Sequence, residues 1–242
     1  MRFHLPACLL PIVALALIGE ASAAITVTSW NYETLTTTSS LAAGPGESTV
    51  SAFNLNGGAA SLGGVNFTAA SPVGAFTSGT ITLTYSVPSV AWAGGASGAY
   101  AANTVLNTFE WTGSPGGMLE FSGLTVGQDY TFQFIVADSR AGGTDGRVVQ
   151  IFGGTNGGAS VTGTSTQLRY AYEGQEQYAV ISATFTADAS GKAAFIPRAF
   201  SPDGTTTVGT QVNAIHIMTV PEPSIALLSG LGVLGLLRRR RV

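Results

Sequence analysis

Apolar and polar residues alternate with a period of two at several places along the chain. The clearest case is Tyr130, Phe132, Phe134 and Val136, with Thr131 and Gln133 on the opposite face. Successive side chains of a strand point to opposite sides, so this pattern predicts a half-buried β-strand. Shorter stretches of the same kind occupy 81–87, 118–121, 148–152, 180–187, 193–196 and 212–218. Turn-forming residues punctuate them: Gly57-Gly58, Pro115-Gly116-Gly117, Asp145-Gly146, Gly153-Gly154, Asp188-Ala189-Ser190-Gly191 and Asp203-Gly204. Many short strands, frequent turns and no amphipathic helical stretch predict an all-β domain, a two-sheet β-sandwich with jelly-roll connections. The absence of an internal repeat disfavours a propeller or a solenoid.

The two ends depart from this pattern. Arg2 and His4 precede an apolar run at 9–18, and Ala21-Ser22-Ala23 follows with the small residues that signal peptidase requires. We read residues 1–23 as a helical signal peptide cleaved between Ala23 and Ala24. A lipoprotein cysteine ends its apolar run, whereas Cys8 opens this one. An ordinary first membrane helix would need a longer run.

Near the other end, Val220-Pro221-Glu222-Pro223 precedes an apolar run at 225–237 and then Arg238, Arg239, Arg240 and Arg241. As a helix, this thirteen-residue run reaches about 20 Å, short of a hydrocarbon core of roughly 30 Å, so arginine snorkelling, tilt or thinning must absorb the difference. The arginine cluster belongs on the cytoplasmic side, which places everything before Pro221 outside. The two prolines keep the segment ahead of the helix extended. Within the run, Gly230, Gly232 and Gly235 match a dinucleotide-binding spacing, but no strand precedes them, and they read as small residues of a membrane helix.

This three-part order resembles the PEP-CTERM tail, also called the ice-binding protein C-terminal domain, that bacterial exosortases recognise. The resemblance implies a chain divided into a signal peptide at 1–23, an exported domain at 24–219 and a sorting tail at 220–242. It further implies the Sec translocon, signal peptidase and an exosortase as partners. The protein would be held transiently in the inner membrane by the short C-terminal transmembrane helix, then placed at the cell surface or in the extracellular matrix. A permanent tail anchor is the rival reading.

Composition narrows the rest. Of 242 residues only 10% are charged, 45% are hydrophobic and Gly supplies 32 positions, which suits short strands and tight turns and argues against disorder. Five of the ten basic residues, Arg2 and the four terminal arginines, lie in the targeting segments. Setting these aside with Glu20 and Glu222 leaves five basic against eleven acidic residues, a net charge of −6 that opposes nucleic-acid binding. With Cys8 in the signal peptide, the mature chain has no disulfide and no thiol nucleophile.

Candidate chemistry is sparse. His216, the one histidine of the mature chain, cannot build a multi-histidine metal site and is expected to be a buried or edge residue. No G-x-S-x-G elbow is present. Glu173 and Glu176 are the nearest pair of carboxylates, the basis of the alternative reading as a secreted glycan-active enzyme, yet their stretch reads equally as a solvated loop. The loop 138–146 gathers Asp138, Asp145, hydroxyls and backbone carbonyls, the oxygen donors calcium prefers, without the spacing of a known calcium loop. Its plainer reading is a hairpin loop in which Asp138 pairs with Arg140 or Arg147. The expectation is therefore no cofactor, with a structural calcium at Asp138 and Asp145 as the weak alternative.

Four segments, Gly123-Leu124-Thr125-Val126-Gly127-Gln128-Asp129-Tyr130, Ala137-Asp138-Ser139-Arg140, Gln177-Tyr178 leading into 184–188, and Gln211-Val212-Asn213-Ala214-Ile215, resemble a recurrent exported bacterial module. That module is similar to galactose-binding or carbohydrate-binding jelly rolls. Such modules stack a sugar on an exposed aromatic ring and add polar hydrogen bonds, which makes Tyr170, Tyr172 and Tyr178, with Asp138, Arg140 and Arg169, the candidate ligand-binding residues. Trp92 and Tyr100 are further aromatic candidates, whereas Trp111 is expected in the core. Ice binding would need a flat, regular Thr face, which 34–38 and 205–207 do not build. The expectation is a non-enzymatic, exopolysaccharide-associated structural or binding protein, with polysaccharide as its partner.

Overall fold

The computed structural model describes residues 25, 27–41, 43, 46–70, 74–85, 90–93, 103–112, 119–137, 148–154, 161–164, 168–169, 177–201, 205–208 and 210–221. In chain order the elements are β1 (Val27–Thr36), β2 (Ser48–Leu55), β3 (Ala60–Leu62), β4 (Val65–Ala70), β5 (Ala75–Ser78), β6 (Ile81–Tyr85) and β7 (Val90–Ala93). A single helical turn, α1 (Thr104–Asn107), leads into β8 (Thr108–Thr112), β9 (Leu119–Ser122), β10 (Asp129–Val136), β11 (Val148–Gly154) and β12 (Val161–Thr164). The last strands are β13 (Leu168–Arg169), β14 (Gln177–Thr186), β15 (Lys192–Phe200), β16 (Thr207–Val208), β17 (Thr210–Val212) and β18 (Ala214–Thr219).

Two large sheets face each other as a β-sandwich. The first runs β1-β14-β10-β18-β2-β4-β3, and the second β12-β11-β15-β9-β6-β5 with β13 on β11 and β16 on β15. A small sheet, β17-β8-β7, joins them at one end. Alternation supplies the filling: Tyr130, Phe132, Phe134, Ile181, Phe185, Ile215 and Ile217 of the first sheet meet Leu83, Phe121, Ile151 and Phe195 of the second in one buried cluster. Phe132 sits at its centre, with ring centroids 4.8 Å from Phe121, 5.1 Å from Phe185 and 5.4 Å from Phe195, distances at which edge and tilted aromatic pairs attract beyond simple area burial.

The outer face of the first sheet is also covered, which corrects the reading of 130–136 as half-buried. Thr131 and Gln133 are only 8% and 6% exposed. Above this face lie Leu41, Leu62, Val65, Phe67, Val105 and Leu106, packed on Ile135, Tyr178, Val180 and Ala214 in a second cluster. The β3–β4 hairpin therefore serves as a lid, tied to the chain before β2 by the Leu41 N–H donating to Gly63 O at 3.0 Å. Two other expectations shift. The stretch 212–218 is broken at Asn213 into β17 and β18, and Gly153-Gly154 continues β11 instead of turning.

The signal peptide, the residues from 222 onward and the loop 138–147 lie outside the described residues. Among the described residues no helix is long and apolar enough to cross a membrane.

Candidate functional site

β18 is an interior strand, antiparallel to β10 on one side and to β2 on the other. Its C-terminal end carries the chain out of the domain. Val220 adds one more rung, its N–H donating to Asp129 O at 2.9 Å, and its own carbonyl accepts from Gln128 Nε2 at 2.8 Å. Gln128 Nε2 also donates to Asp129 O at 3.0 Å. Pro221 has no N–H, so the ladder ends there. Its ring covers Gly46, whose φ is +84° and where an added Cβ would come 2.7 Å from Pro221 Cγ. Glycine at 46 thus satisfies both a left-handed backbone and a close approach. Thr131 Oγ1 donates to Glu47 Oε1 at 3.0 Å beside this exit.

The interior of β18 holds a different polar group. His216 is fully buried, with Nε2 2.8 Å from Thr49 Oγ1 and Nδ1 2.9 Å from Gln133 Oε1. Burial pushes its pKa down to about 4, so the ring is neutral at ordinary pH and serves to join β2, β10 and β18. Three residues earlier, Asn213 fills the break between β17 and β18. It accepts from the Ala137 N–H at 2.7 Å and donates to Leu106 O and Thr108 O, both at 3.0 Å. Gln211 Nε2 donates to Ala137 O at 2.6 Å.

Among the predicted ligand-binding residues, Tyr178 is corrected by the structure. Its side chain is fully buried in the second cluster, its hydroxyl has no hydrogen-bond partner among the described residues, and burial, with a smaller contribution from Glu33, pushes its pKa up to about 12. A ring buried in that cluster cannot stack a sugar. The alternation of β14 turns Tyr178 to the same outer face as Val180, and the lid covers that face.

Arg169 lies on β13, paired with Val148, and Trp92 and Trp111 lie on β7 and β8; their side chains fall outside the described residues. Asp138, Arg140, Asp145, Tyr170, Tyr172, Tyr100, Glu173 and Glu176 also lie outside them, as do Ala21, Ala23, Ala24, Glu222, Pro223 and Arg238 to Arg241. Among the described residues no three His, Cys, Asp or Glu side chains come together as a metal site. The C-terminal end of β10 and the N-terminal end of β14 are paired at Val136 and Ala179. The tail leaves from the opposite end, where Asp129 pairs with Thr186. Over the eight residues of β10 the two ends stand about 25 Å apart.

Gln128 and Gly46 escape a reading by periodicity, because neither contributes to a hydrophobic face. The one available signal is the position of Gln128 between a turn glycine and the first residue of a strand.

Residues 219–241 match the model of the PEP-CTERM protein-sorting motif. The chain therefore carries that motif, beginning at the last residue of β18. Among solved structures the chain is similar to that of the plant receptor-like kinase ANX2, at 12% identity and a TM-score of 0.50, over 73% of this chain and 49% of that one. A second similar structure is the ANXUR1 extracellular domain from Arabidopsis thaliana, at 10% identity and a TM-score of 0.46, over 73% and 49%. The chain spans about half the length of the solved chains it matches, and the ANX2 likeness shows the fold alone. No curated protein matches it.

Proposed function

We propose that this chain is an exported, non-enzymatic β-sandwich protein of jelly-roll type. Its tail hands it to an exosortase, which leaves it at the cell surface or in the extracellular polysaccharide matrix. The observation that carries this reading is continuity: the sorting motif starts at Thr219, where β18 ends, so the folded domain runs directly into the motif. The signal peptide with cleavage after Ala23 brings the domain across the membrane, and the short apolar run at 225–237 holds it there until processing. Mass spectrometry of the protein from a host with and without its exosortase tests this. Loss of 225–237 only when the enzyme is present is the expected result, and a mature form that keeps the run in its presence would sink the reading in favour of a permanent anchor.

The same geometry favours display of a binding surface. With the tail in the membrane, the Val136 end of β10 lies about 25 Å beyond the exit. Asp138, Arg140, Arg169, Tyr170 and Tyr172 are the residues we assign to carbohydrate binding, and Tyr178, fully buried, is withdrawn from the set. A glycan array on the processed protein tests the assignment; retention of no polysaccharide would reject it.

A further inference from the structure

We propose that Gln128 is a clasp that holds the start of the sorting motif on the folded domain and so limits how readily the processing peptidase can grip it. The proposal rests on the exosortase reading above. Both backbone polar groups of Val220 are engaged within the domain, the N–H with Asp129 O at 2.9 Å and the carbonyl with Gln128 Nε2 at 2.8 Å. Gln128 Nε2 also donates to Asp129 O at 3.0 Å, so both amide hydrogens are spent, one on Val220 and one steadying the side chain against its own neighbour. The clasp is itself braced. The Gln128 N–H donates to Thr125 O, its carbonyl accepts from the Ala187 N–H, and the neighbouring Gly127 N–H donates to Ala187 O. Beneath the exit, Gly46 lets the Pro221 ring settle against the chain before β2.

A peptide recognised in extended form offers its main-chain N–H and C=O groups to the protein that binds it. In the closed state the Val220 N–H is taken and its carbonyl already accepts one bond from Gln128. Slack is short as well: from Pro221 to Ile225 the chain spans at most about 14 Å, and the headgroup layer takes roughly 5 to 8 Å of that. A peptidase therefore meets the folded end of the sandwich almost at the membrane surface. Freeing Val220 and Thr219 adds about 7 Å of chain and exposes the motif from its first residue. Fraying at a strand end is the least costly opening a domain makes, and the bonds from Gln128 set its frequency here.

The test uses the full-length chain in cells that contain the exosortase, with pulse-chase measurement of precursor conversion. Gln128→Ala removes the side-chain bond to Val220 O and should be processed about fivefold faster than the wild type, the factor expected for one such bond of about 1 kcal/mol. Gln128→Glu keeps the shape, cannot donate, and should behave likewise. A wild-type chain with a flexible spacer inserted between Thr219 and Val220 should be processed at least as fast as Gln128→Ala. Equal or slower conversion of both Gln128 variants, with the wild type still processed, overturns the clasp alone. Absence of conversion in every chain overturns the exosortase reading and the clasp with it.

Discussion

Lowering the pH from about 7.5 to about 4 should destabilise the domain through His216. With Gln133 presenting its carbonyl oxygen to Nδ1, that nitrogen donates and Nε2 accepts from the Thr49 hydroxyl, which fixes a neutral tautomer in a fully buried site. Burial pushes the folded-state pKa down to about 4, whereas an unfolded histidine titrates near about 6.5. The unfolded chain therefore takes up a proton that the folded one refuses. Stability is complete above about pH 6.5, declines between about 6.5 and 4, and levels off below. At about 1.36 kcal/mol per pKa unit, the loss at pH 4 is about 3 kcal/mol. Urea unfolding followed by tryptophan emission, at a series of pH values, reads this directly. Carboxylates contribute their own acid dependence, so the comparison is with His216→Gln, which stays neutral throughout. The variant starts less stable at neutral pH and should fall with a shallower slope, by about 3 kcal/mol over the interval. Parallel pH profiles for the two proteins would refute the account of His216.

Other substitutions probe the rest of the framework. Asn213→Ala strands the Ala137 N–H and the Leu106 and Thr108 carbonyls and should cost about 4 kcal/mol in urea unfolding; a loss below about 1 kcal/mol would mean these groups find other partners. Phe132→Ala empties the centre of the aromatic cluster and should cost about 4 kcal/mol by the same measurement. Gly123→Ala meets a backbone φ of +85° and puts Cβ 2.1 Å from Thr80 O. Its melting temperature should drop by an amount that corresponds to at least about 2 kcal/mol, and an unchanged one would show that the turn relaxes freely.

What the sequence discloses follows from where burial is one-sided. The alternation at 118–121, 148–152 and 180–187 lies on or overlaps β9, β11 and β14, because each of these strands sends alternate residues into the space between the sheets. β2 gave no such signal. From Ser51 to Leu55 every residue is buried, since the lid covers one face and the second sheet the other, and period-two contrast disappears. β1 is hidden for the opposite reason, with most of Val27–Thr36 exposed or half-exposed and rich in Thr and Ser. The same lid made Gln133 look like a surface residue and Tyr178 like a ligand platform, because it comes from 60–70 and leaves no mark on the strands it covers. The sorting tail was legible in full from its linear order of motif, apolar run and arginines, which needs no tertiary context. The clasp was not, because it joins Gln128 to Val220, residues 92 positions apart in the chain.

The placement of β18 also decides how the domain bears load. A pull on the chain at Pro221, along the strand, draws β18 lengthwise past β10 and β2, so the bonds of both ladders resist together. A pull at Thr36 loads β1, which is hydrogen-bonded to β14 alone among the described strands and can be unzipped one rung at a time. We expect single-molecule extension through Pro221 to require a distinctly higher force than extension through Thr36, and equal forces would contradict this.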